Sequence, residues 1–196
     1  MLIIQTLWEG IVNGSIYAMI AMGIALVWGV MGILSFSQGE FMMLGMFITY
    51  YANTYLNLDP LLCVPIVGIV MFGFGCLIYR TIIHKALRGP RLSQRLITFA
   101  IGMVITYGAL MLFGGEYRTV QNLAFTGVVD FGIVSISKQK LIPLAISLIM
   151  VAFMFVLLNY TKIGKAIQAT SQDKDAAELV GIDAKTTYMV AFGLSS

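Results

Sequence analysis

A short polar segment, residues 35–40 (SFSQGE), separates two very apolar stretches near the N-terminus. A helix broken here would leave backbone N–H and C=O groups free, and membrane transporters use such groups to hold polar solutes. The segment also supplies two hydroxyls, an amide and a carboxylate, and an acid inside a membrane is a default candidate for a functional site. We therefore predict that the polar side chains of this segment line or brace a substrate pathway; they are Ser35, Ser37, Gln38 and Glu40.

The same six residues could instead form a short cytoplasmic turn. Gly29, Gly32 and Gly39 weaken a continuous helix here, since each costs up to about 1 kcal/mol relative to alanine. Glu40 would then lie at the start of the next helix, where a negative charge complements the helix dipole. The sequence leaves the turn and the buried break open.

A second candidate lies in the polar loop at residues 162–185. Asp173 can cap a helix from Lys174 to Val180, and Gly181 stands where a left-handed residue often closes a helix. A helix of two turns is marginal alone, so its apolar side chains need a surface to pack on. We predict a docking helix for a cytoplasmic protein; the alternative is a helix lying on its own bundle. The apolar residues concerned are Ala176, Ala177, Leu179 and Val180.

The sequence carries no motif typical of an enzyme. There is no Cys/His cluster with metal-ligand spacing, no glycine-rich phosphate loop and no nucleophile–base pair. Basic residues do not interleave with aromatics, which argues against nucleic-acid binding. We therefore predict a protein that is not an enzyme and that holds no metal and no cofactor.

The composition is that of an integral membrane protein in a lipid bilayer. Hydrophobic residues make up 59% of the 196 residues and charged residues 11%, with a mean hydropathy of +0.92, whereas soluble domains are about one quarter charged. A membrane β-barrel would alternate apolar and polar residues. We predict an all-α, polytopic transmembrane helix bundle forming a single domain over residues 1–196.

Five complete spans and the start of a sixth can be placed. They lie near residues 10–34, 41–58, 60–79, 96–113 and 141–161, and the sixth begins near Thr186. The third is expected to end at Arg80. Because the last stretch is still apolar, we expect this chain to be the N-terminal portion of a longer membrane protein, or a truncated one.

Small residues form a stripe along the first span. Their steps of three and four place them on one side of a single helix. Membrane helices associate through close backbone approach at such residues, so we predict that the stripe faces other helices and not lipid. Its members are Gly10, Gly14, Ala18, Ala21, Ala25, Gly29 and Gly32.

Lysine and arginine predict the orientation. Residues 80–95 carry five and residues 162–185 carry four, against three in residues 114–140. Cytoplasmic loops are enriched in these residues, so we predict that the first two loops are cytoplasmic and the third is external. The N-terminus is then external if residues 35–40 form a turn. Valines at 128–129 and isoleucines at 133 and 136 predict a small hairpin or flap in the external loop, with Ser137 as an N-cap for the fifth span.

Several of these segments together resemble one family. Residues 13–18 (NGSIYA), 29–33 (GVMGI) and 39–45 (GEFMMLG) resemble the start of the permease subunit of branched-chain amino acid ABC importers. Residues 161–167 (TKIGKAI) and 175–183 (DAAELVGID) resemble that family's coupling loop. The resemblance covers nearly the whole chain and is strongest to the H-type permease.

The resemblance implies a multi-pass protein of the bacterial inner membrane that works by alternating access. A second permease subunit would complete the pore, two cytoplasmic ATPase subunits would hydrolyse ATP, and a periplasmic substrate-binding protein would deliver the amino acid. The segment that would touch an ATPase comprises Asp175, Ala176, Ala177, Gly181, Ile182 and Asp183.

This chain departs from the family pattern at residues 35–38. The family usually has Asn-Phe-Ala-His there, and this chain has Ser-Phe-Ser-Gln. Close relatives carry urea or short-chain amides, so a permease for those solutes is one alternative. A membrane scaffold that does not transport is another.

Overall fold

The computed structural model describes residues 2–56, 60–87, 89–116, 128–130 and 135–196, and it describes the backbone alone at 2–4, 56, 91, 128–130 and 135–140. The helices are α1 (Leu2–Met31), α2 (Gln38–Leu56), α3 (Pro60–Ile78), a π-helical turn (Tyr79–Ile83), α4 (His84–Ala86), α5 (Arg91–Phe113), α6 (Lys138–Tyr160), α7 (Lys162–Gln172), α8 (Lys174–Leu179) and α9 (Ala184–Ser195). In the described part of the connection between α5 and α6 lie two short strands, β1 (Val128–Asp130) and β2 (Ser135–Ser137).

Among the described residues, four helical segments are long and apolar enough to cross a membrane. They are Gln5–Met31, Pro60–Ala86, Leu92–Phe113 and Leu141–Tyr160. The prediction of a helical, multi-pass membrane protein is therefore confirmed, whereas the count of five complete spans is not. The second predicted span corresponds to α2, whose Gln, Glu, Asn and Tyr side chains lower its hydropathy. It packs against α1, α3 and α5.

The structure differs from the predictions at the end of the third span and in the first half of the loop 162–185. The third span does not end at Arg80, because the helix continues through the π-helical turn to Ala86. Arg80 is exposed there, and a long basic side chain at the end of a span can extend toward water while its backbone stays helical. The first half of the loop 162–185 forms α7, which begins at its cap Thr161.

The hairpin predicted in residues 114–140 is confirmed in its two strands. β1 and β2 pair antiparallel, with Val128 opposite Ser137 and Val129 opposite Ile136. α6 begins at Lys138, directly after Ser137. Residues 131–134 of the hairpin, and residues 57–59 between the second and third predicted spans, lie outside the described residues.

Helix α9 lies between α1 and α3 and forms the middle of the bundle. The ring of Phe41 in α2 is buried, and it meets the rings of Phe74 and Phe192 edge to face, with centroids 6.2 and 5.9 Å apart. These contacts join α2, α3 and α9 through aromatic edges and faces, an arrangement that stabilises beyond simple burial. A second apolar cluster joins α1, α6, α7 and α9; it contains Leu26, Val30, Met154, Ile167 and Ala191.

Glycines allow α3 and α9 to approach closely. A Cβ atom at Gly193 would lie 2.7 Å from the Cys76 sulfur and 3.0 Å from the ring of Phe72. At Gly75 a Cβ would lie 3.0 Å from the Gly193 Cα. Membrane helices commonly associate through such a close approach of their backbones at small residues.

The predicted small-residue stripe lies outside this packing. Its seven residues are exposed, and a Cβ at Gly10, Gly14, Gly29 or Gly32 would meet nothing within 4 Å among the described residues. The face of α1 that packs in this chain instead carries Val12, Gly23, Leu26, Val27 and Val30. A helix contact at Gly14, Ala18, Ala21, Ala25 and Gly29 therefore requires a helix that is not among those described here.

Candidate functional site

The polar segment is a buried break between α1 and α2. α1 ends at Met31, Gly32 adopts a φ of +66°, and no helix forms before Gln38. Ser37 is 0% exposed and Gln38 is 7% exposed. Ser35 is buried as well, whereas Phe36 points outward. A solvated turn does not describe these residues, because their polar side chains face the bundle interior.

The polar side chains of this break contact different neighbours. The hydroxyl oxygens of Ser35 and Ser37 lie 3.3 Å apart. The Gln38 amide nitrogen donates a hydrogen bond to the Ser195 carbonyl of α9. Gly23 of α1 makes room for this pair, since a Cβ there would lie 2.7 Å from the Gln38 nitrogen and 2.8 Å from the Ser195 oxygen. Three helices therefore meet at the Gln38 side chain.

Glu40 reaches toward α5. A Cβ at Gly102 would lie 3.1 Å from the Glu40 carboxyl carbon, so this glycine gives the carboxylate its space. The nearby Thr98 hydroxyl donates to the Leu34 carbonyl at 3.3 Å, which ties α5 to the break. The break is thus enclosed by α5 and α9. The spacing of residues along the sequence did not predict that these two helices contact it.

Two acceptor atoms in the break have no hydrogen-bond partner among the described residues. They are the Gln38 side-chain oxygen and one Glu40 carboxylate oxygen, and both are buried. A buried acceptor left unpaired costs about 1–3 kcal/mol, more when it is charged. Both atoms are therefore suited to receive N–H donors from a solute. In the part of the chain that the structure describes, no three His, Cys, Asp or Glu side chains group together as metal ligands would.

The short helix predicted from Lys174 to Val180 is present as α8. The Asp173 carboxylate accepts hydrogen bonds from the backbone N–H groups of Asp175 and Ala176, at 2.9 and 3.0 Å. The helix ends at Leu179 with Val180 as its cap, one residue earlier than predicted. Gly181 then adopts a φ of +88°.

The predicted capping residues of α8, Asp173 and Gly181, are confirmed by their hydrogen bonds. The Gly181 N–H donates to the Glu178 carbonyl at 3.1 Å, and the Ile182 N–H donates to the Ala177 carbonyl at 3.0 Å. This pair of bonds is the Schellman motif, which satisfies carbonyls that the helix leaves free. A two-turn helix is thereby held at both ends.

The two faces of α8 differ from the prediction. Ala177 is 3% exposed and packs inward, so it belongs to this chain's own bundle and not to a docking surface. Leu179 and Val180 are 89% and 76% exposed. Because burial depends on how α8 is set against α7 and α9, composition alone did not separate these faces. Leu179 and Val180 stand directly before the closing Gly181 within a charged loop. Two large apolar residues at such a position are the sequence signal for an exposed apolar surface.

The remaining predicted docking residues lie at the surface or close to it. Asp175, Ala176, Gly181 and Asp183 are exposed, and Ile182 is half-buried. Asp183 caps α9, because its carboxylate accepts hydrogen bonds from the Thr186 hydroxyl and from the Lys185 N–H. The Thr186 hydroxyl and then the Lys185 N–H hold the pKa of Asp183 below its usual value.

The two basic loops meet at one end of the bundle. Their side chains line a shared cavity of about 610 Å³, with His84 and Gln94 from the first loop and Lys174 and Lys185 from the second. Trp28 near the end of α1 completes the cavity wall. The two loops are therefore on the same side of the apolar helices, as the charge distribution predicted.

Comparison with known proteins places this arrangement among transport proteins. A family model described as "Branched-chain amino acid transport system / permease component" matches residues 6–196. The high-affinity branched-chain amino acid transport system permease protein BraD of Pseudomonas aeruginosa is 28% identical over 203 residues, which cover 96% of this chain and 66% of BraD. The corresponding protein LivH of Escherichia coli is 26% identical over 212 residues, which cover 96% of this chain and 65% of LivH.

A more distant relative extends the comparison to archaea. The probable branched-chain amino acid transport permease protein LivH of Methanocaldococcus jannaschii is 20% identical over 190 residues, which cover 94% of this chain and 60% of that protein. The chain thus spans slightly less than two thirds of the length of the curated relatives that it matches. No solved structure matched it.

Proposed function

Because this chain belongs to the family of branched-chain amino acid transport permeases, we propose that it is the membrane-spanning permease subunit of an ATP-driven importer for branched-chain amino acids in the bacterial inner membrane. A second permease subunit completes the pore, and a periplasmic binding protein delivers the substrate. Two cytoplasmic ATPase subunits hydrolyse ATP, and this chain converts their motion into alternating access.

The observation that carries the proposal is the surface of α8. This short helix is fixed at both ends by Asp173 and Gly181, and it presents Leu179 and Val180 to solvent. Burying one such side chain contributes roughly 1.5–3 kcal/mol. An apolar cleft on an ATPase subunit would provide that burial. The exposed Asp175, Ala176, Gly181 and Asp183, and the half-buried Ile182, surround the contact.

The buried break supports a substrate with N–H donors. The unpaired oxygens of Gln38 and Glu40 are acceptors, and an amino acid offers an ammonium group to them. Ser35 and Ser37 brace the same segment. Urea and short-chain amides also offer N–H donors, and residues 35–38 depart from the family pattern, so a urea or amide permease is the second candidate. Uptake of labelled leucine with unlabelled urea or leucine as competitor separates the two.

The coupling test uses the chain produced together with its importer's ATPase. The double substitution Leu179→Ser, Val180→Ser should leave the permease in the membrane but abolish ATPase co-purification and uptake. Gly181→Val should do the same, because a β-branched side chain resists the φ of +88°. Ile163→Ser changes an exposed apolar residue of α7 in the same loop, and it should leave both properties unchanged.

Two other outcomes would contradict the proposal. ATPase association and uptake that survive both α8 variants would make this loop a connector only. An unmodified chain that binds the ATPase but supports no uptake would favour a scaffold. Ala177→Asp is unsuitable as a test of docking, since Ala177 is buried in this chain and a carboxylate there would disturb the fold.

A further inference from the structure

A cavity lies beneath α8, where five parts of the chain meet. Its wall is formed by the end of α1, the π-helical turn with α4, the start of α5, α8 and the start of α9. Its volume of about 610 Å³ falls within the range of small-molecule sites. Its lining combines apolar side chains, among them Trp28, Met31 and Leu87, with polar and charged ones. The break at residues 35–40 does not contribute to this lining.

The described residues that line the cavity carry a small net positive charge. They include Lys174 and Lys185 and one carboxylate, that of Glu178. Glu178 pairs with Lys174 at 3.8 Å, but both side chains are about half exposed, so this ion pair is weak. His84 adds ring nitrogens, and the loop that carries it has five Lys and Arg residues and no acid. Such a lining favours an anion.

Tyr79 provides an independent indication of a ligand. Its side chain lines the cavity and is 3% exposed, yet its hydroxyl has no hydrogen-bond partner among the described residues. The ring is held against His84 and Phe192, with centroid separations of 6.0 and 6.3 Å. A buried hydroxyl without a partner is costly, and an acceptor oxygen from a bound molecule would satisfy it.

The position of the cavity identifies the source of that oxygen. Residues at the ends of three apolar segments line it: Met31 ends the first, His84 lies near the end of the second, and Gln94 lies near the start of the third. Phospholipid headgroups occupy this boundary, and basic pockets between membrane helices on the cytoplasmic side bind anionic headgroups. A lipid also suits the apolar part of the lining, because its acyl chains can lie along the exposed Trp28.

We propose that this cavity binds the phosphate headgroup of an anionic phospholipid. Lys174 and Lys185 neutralise the phosphate, and the Tyr79 hydroxyl donates a hydrogen bond to one of its oxygens. Since Lys174 belongs to α8, the bound lipid ties the position of α8 to the lipid composition of that leaflet. Only this last consequence rests on the proposed coupling function; the binding itself does not.

Trp28 offers a direct test of binding. The chain has two tryptophans, so Trp8→Phe leaves Trp28 as the single fluorophore. This protein is placed in phosphatidylcholine bilayers that contain a small fraction of bromine-labelled phosphatidylglycerol or, in parallel, bromine-labelled phosphatidylcholine. The two lysines should enrich the anionic lipid near Trp28 by roughly tenfold, and the brominated phosphatidylglycerol should therefore quench more strongly at equal fraction.

Variants assign the preference to the cavity. Lys174→Gln with Lys185→Gln should bring quenching by phosphatidylglycerol down to that by phosphatidylcholine, and Tyr79→Phe should weaken it while preserving the ring packing. The matched control is Lys162→Gln with Lys165→Gln, which removes two exposed lysines of α7 that do not line the cavity. This control should retain the full preference.

Three results would overturn the proposal. Equal quenching by the two lipids would show that the site has no preference for an anionic headgroup. Loss of the preference on adding millimolar inorganic phosphate would assign the site to a soluble anion. An unchanged preference in the lysine and tyrosine variants would place the lipid elsewhere. Co-purification of the ATPase, measured on the same samples, separates any of these results from failure of the coupling proposal.

Discussion

At the scale of single residues, the polar break has an energetic cost that points to function. Gln38 and Glu40 each bury an oxygen that has no partner among the described residues. Such atoms cost stability, so their presence in an otherwise apolar interior is consistent with a role for a passing solute. The Gln38 nitrogen has a different role, since it joins α2 to the Ser195 carbonyl of α9.

The two roles predict different effects of substitution. Gln38→Ala should lower uptake and also lower the thermal midpoint of the purified protein, because the Ser195 carbonyl loses its donor at a cost of about 1–3 kcal/mol. Glu40→Gln should lower uptake with little loss of stability, because the amide keeps the size and one acceptor oxygen of the carboxyl group. Uptake is measured at equal membrane levels and stability by thermal denaturation.

The neighbouring Phe36 provides the control for this pair. Its side chain is exposed and lies between the buried serines, so Phe36→Ala should change neither the thermal midpoint nor uptake. Unchanged transport in both Gln38→Ala and Glu40→Gln would show that the break only connects two helices.

At the scale of elements, glycine decides where helices can meet. The contact between α3 and α9 depends on Gly75 and Gly193. The two helices lie so close at these positions that a Cβ atom would not fit. Glycine costs helix stability, and close packing between the two helices offsets that cost. Gly10, Gly14 and Gly29 of α1 show that a small residue alone does not make a contact in this chain, since a Cβ at any of them would meet nothing within 4 Å among the described residues.

This difference predicts the effect of adding one methyl group. Gly193→Ala should destabilise the protein by roughly 1–3 kcal/mol, because its Cβ would overlap the Cys76 sulfur and the Phe72 ring. Gly73→Ala in α3 meets nothing within 4 Å among the described residues, so it should be neutral or slightly stabilising. Thermal denaturation in detergent measures both.

A compensating substitution makes this prediction sharper. Cys76→Ala removes the nearest atom, and it should recover part of the stability lost in Gly193→Ala. Equal melting temperatures for the Gly193→Ala and Gly73→Ala proteins would show that α3 and α9 are not in close contact.

At the scale of the whole molecule, the two basic loops lie at one end of the helix bundle. The connection that contains the hairpin follows α5 at the opposite end. The predicted orientation places the basic end in the cytoplasm. In a background with Cys63→Ala and Cys76→Ala, Glu116→Cys should react with a membrane-impermeant thiol reagent in intact cells. Lys85→Cys should react only after the cells are opened. The reverse pattern would invert the topology.

The small-residue face of α1 is the second feature at this scale. We propose that it contacts a helix of the assembled transporter. Ala21→Leu with Ala25→Leu should then leave the thermal midpoint of this chain unchanged, because both positions are exposed. It should weaken co-purification of the second permease subunit, since overpacking a close contact costs roughly 1–3 kcal/mol. Ala152→Leu, an exposed position on α6, is the matched control, and normal assembly of the double variant would assign the stripe to lipid.

The sequence by itself determined the local features of this protein. Apolar length indicated the membrane helices, and Asp173 with Gly181 predicted both ends of α8, because capping depends on residues a few positions apart. The charge distribution predicted which loops share a side. These properties depend on neighbouring residues or on the number of apolar or basic residues in a segment. Neither requires knowledge of contacts between residues that are far apart in the sequence.

Only the tertiary structure decided which faces are used. Helical spacing shows that Gly14 and Ala18 share a face but not whether that face meets a helix of this chain. It likewise could not tell that Ala177 turns inward while Leu179 turns outward. The burial of Gln38 depends on α9, whose contacting residue lies 157 positions away. Burial is a property of the packed assembly of helices, and periodicity within one helix leaves its rotation against the others undetermined.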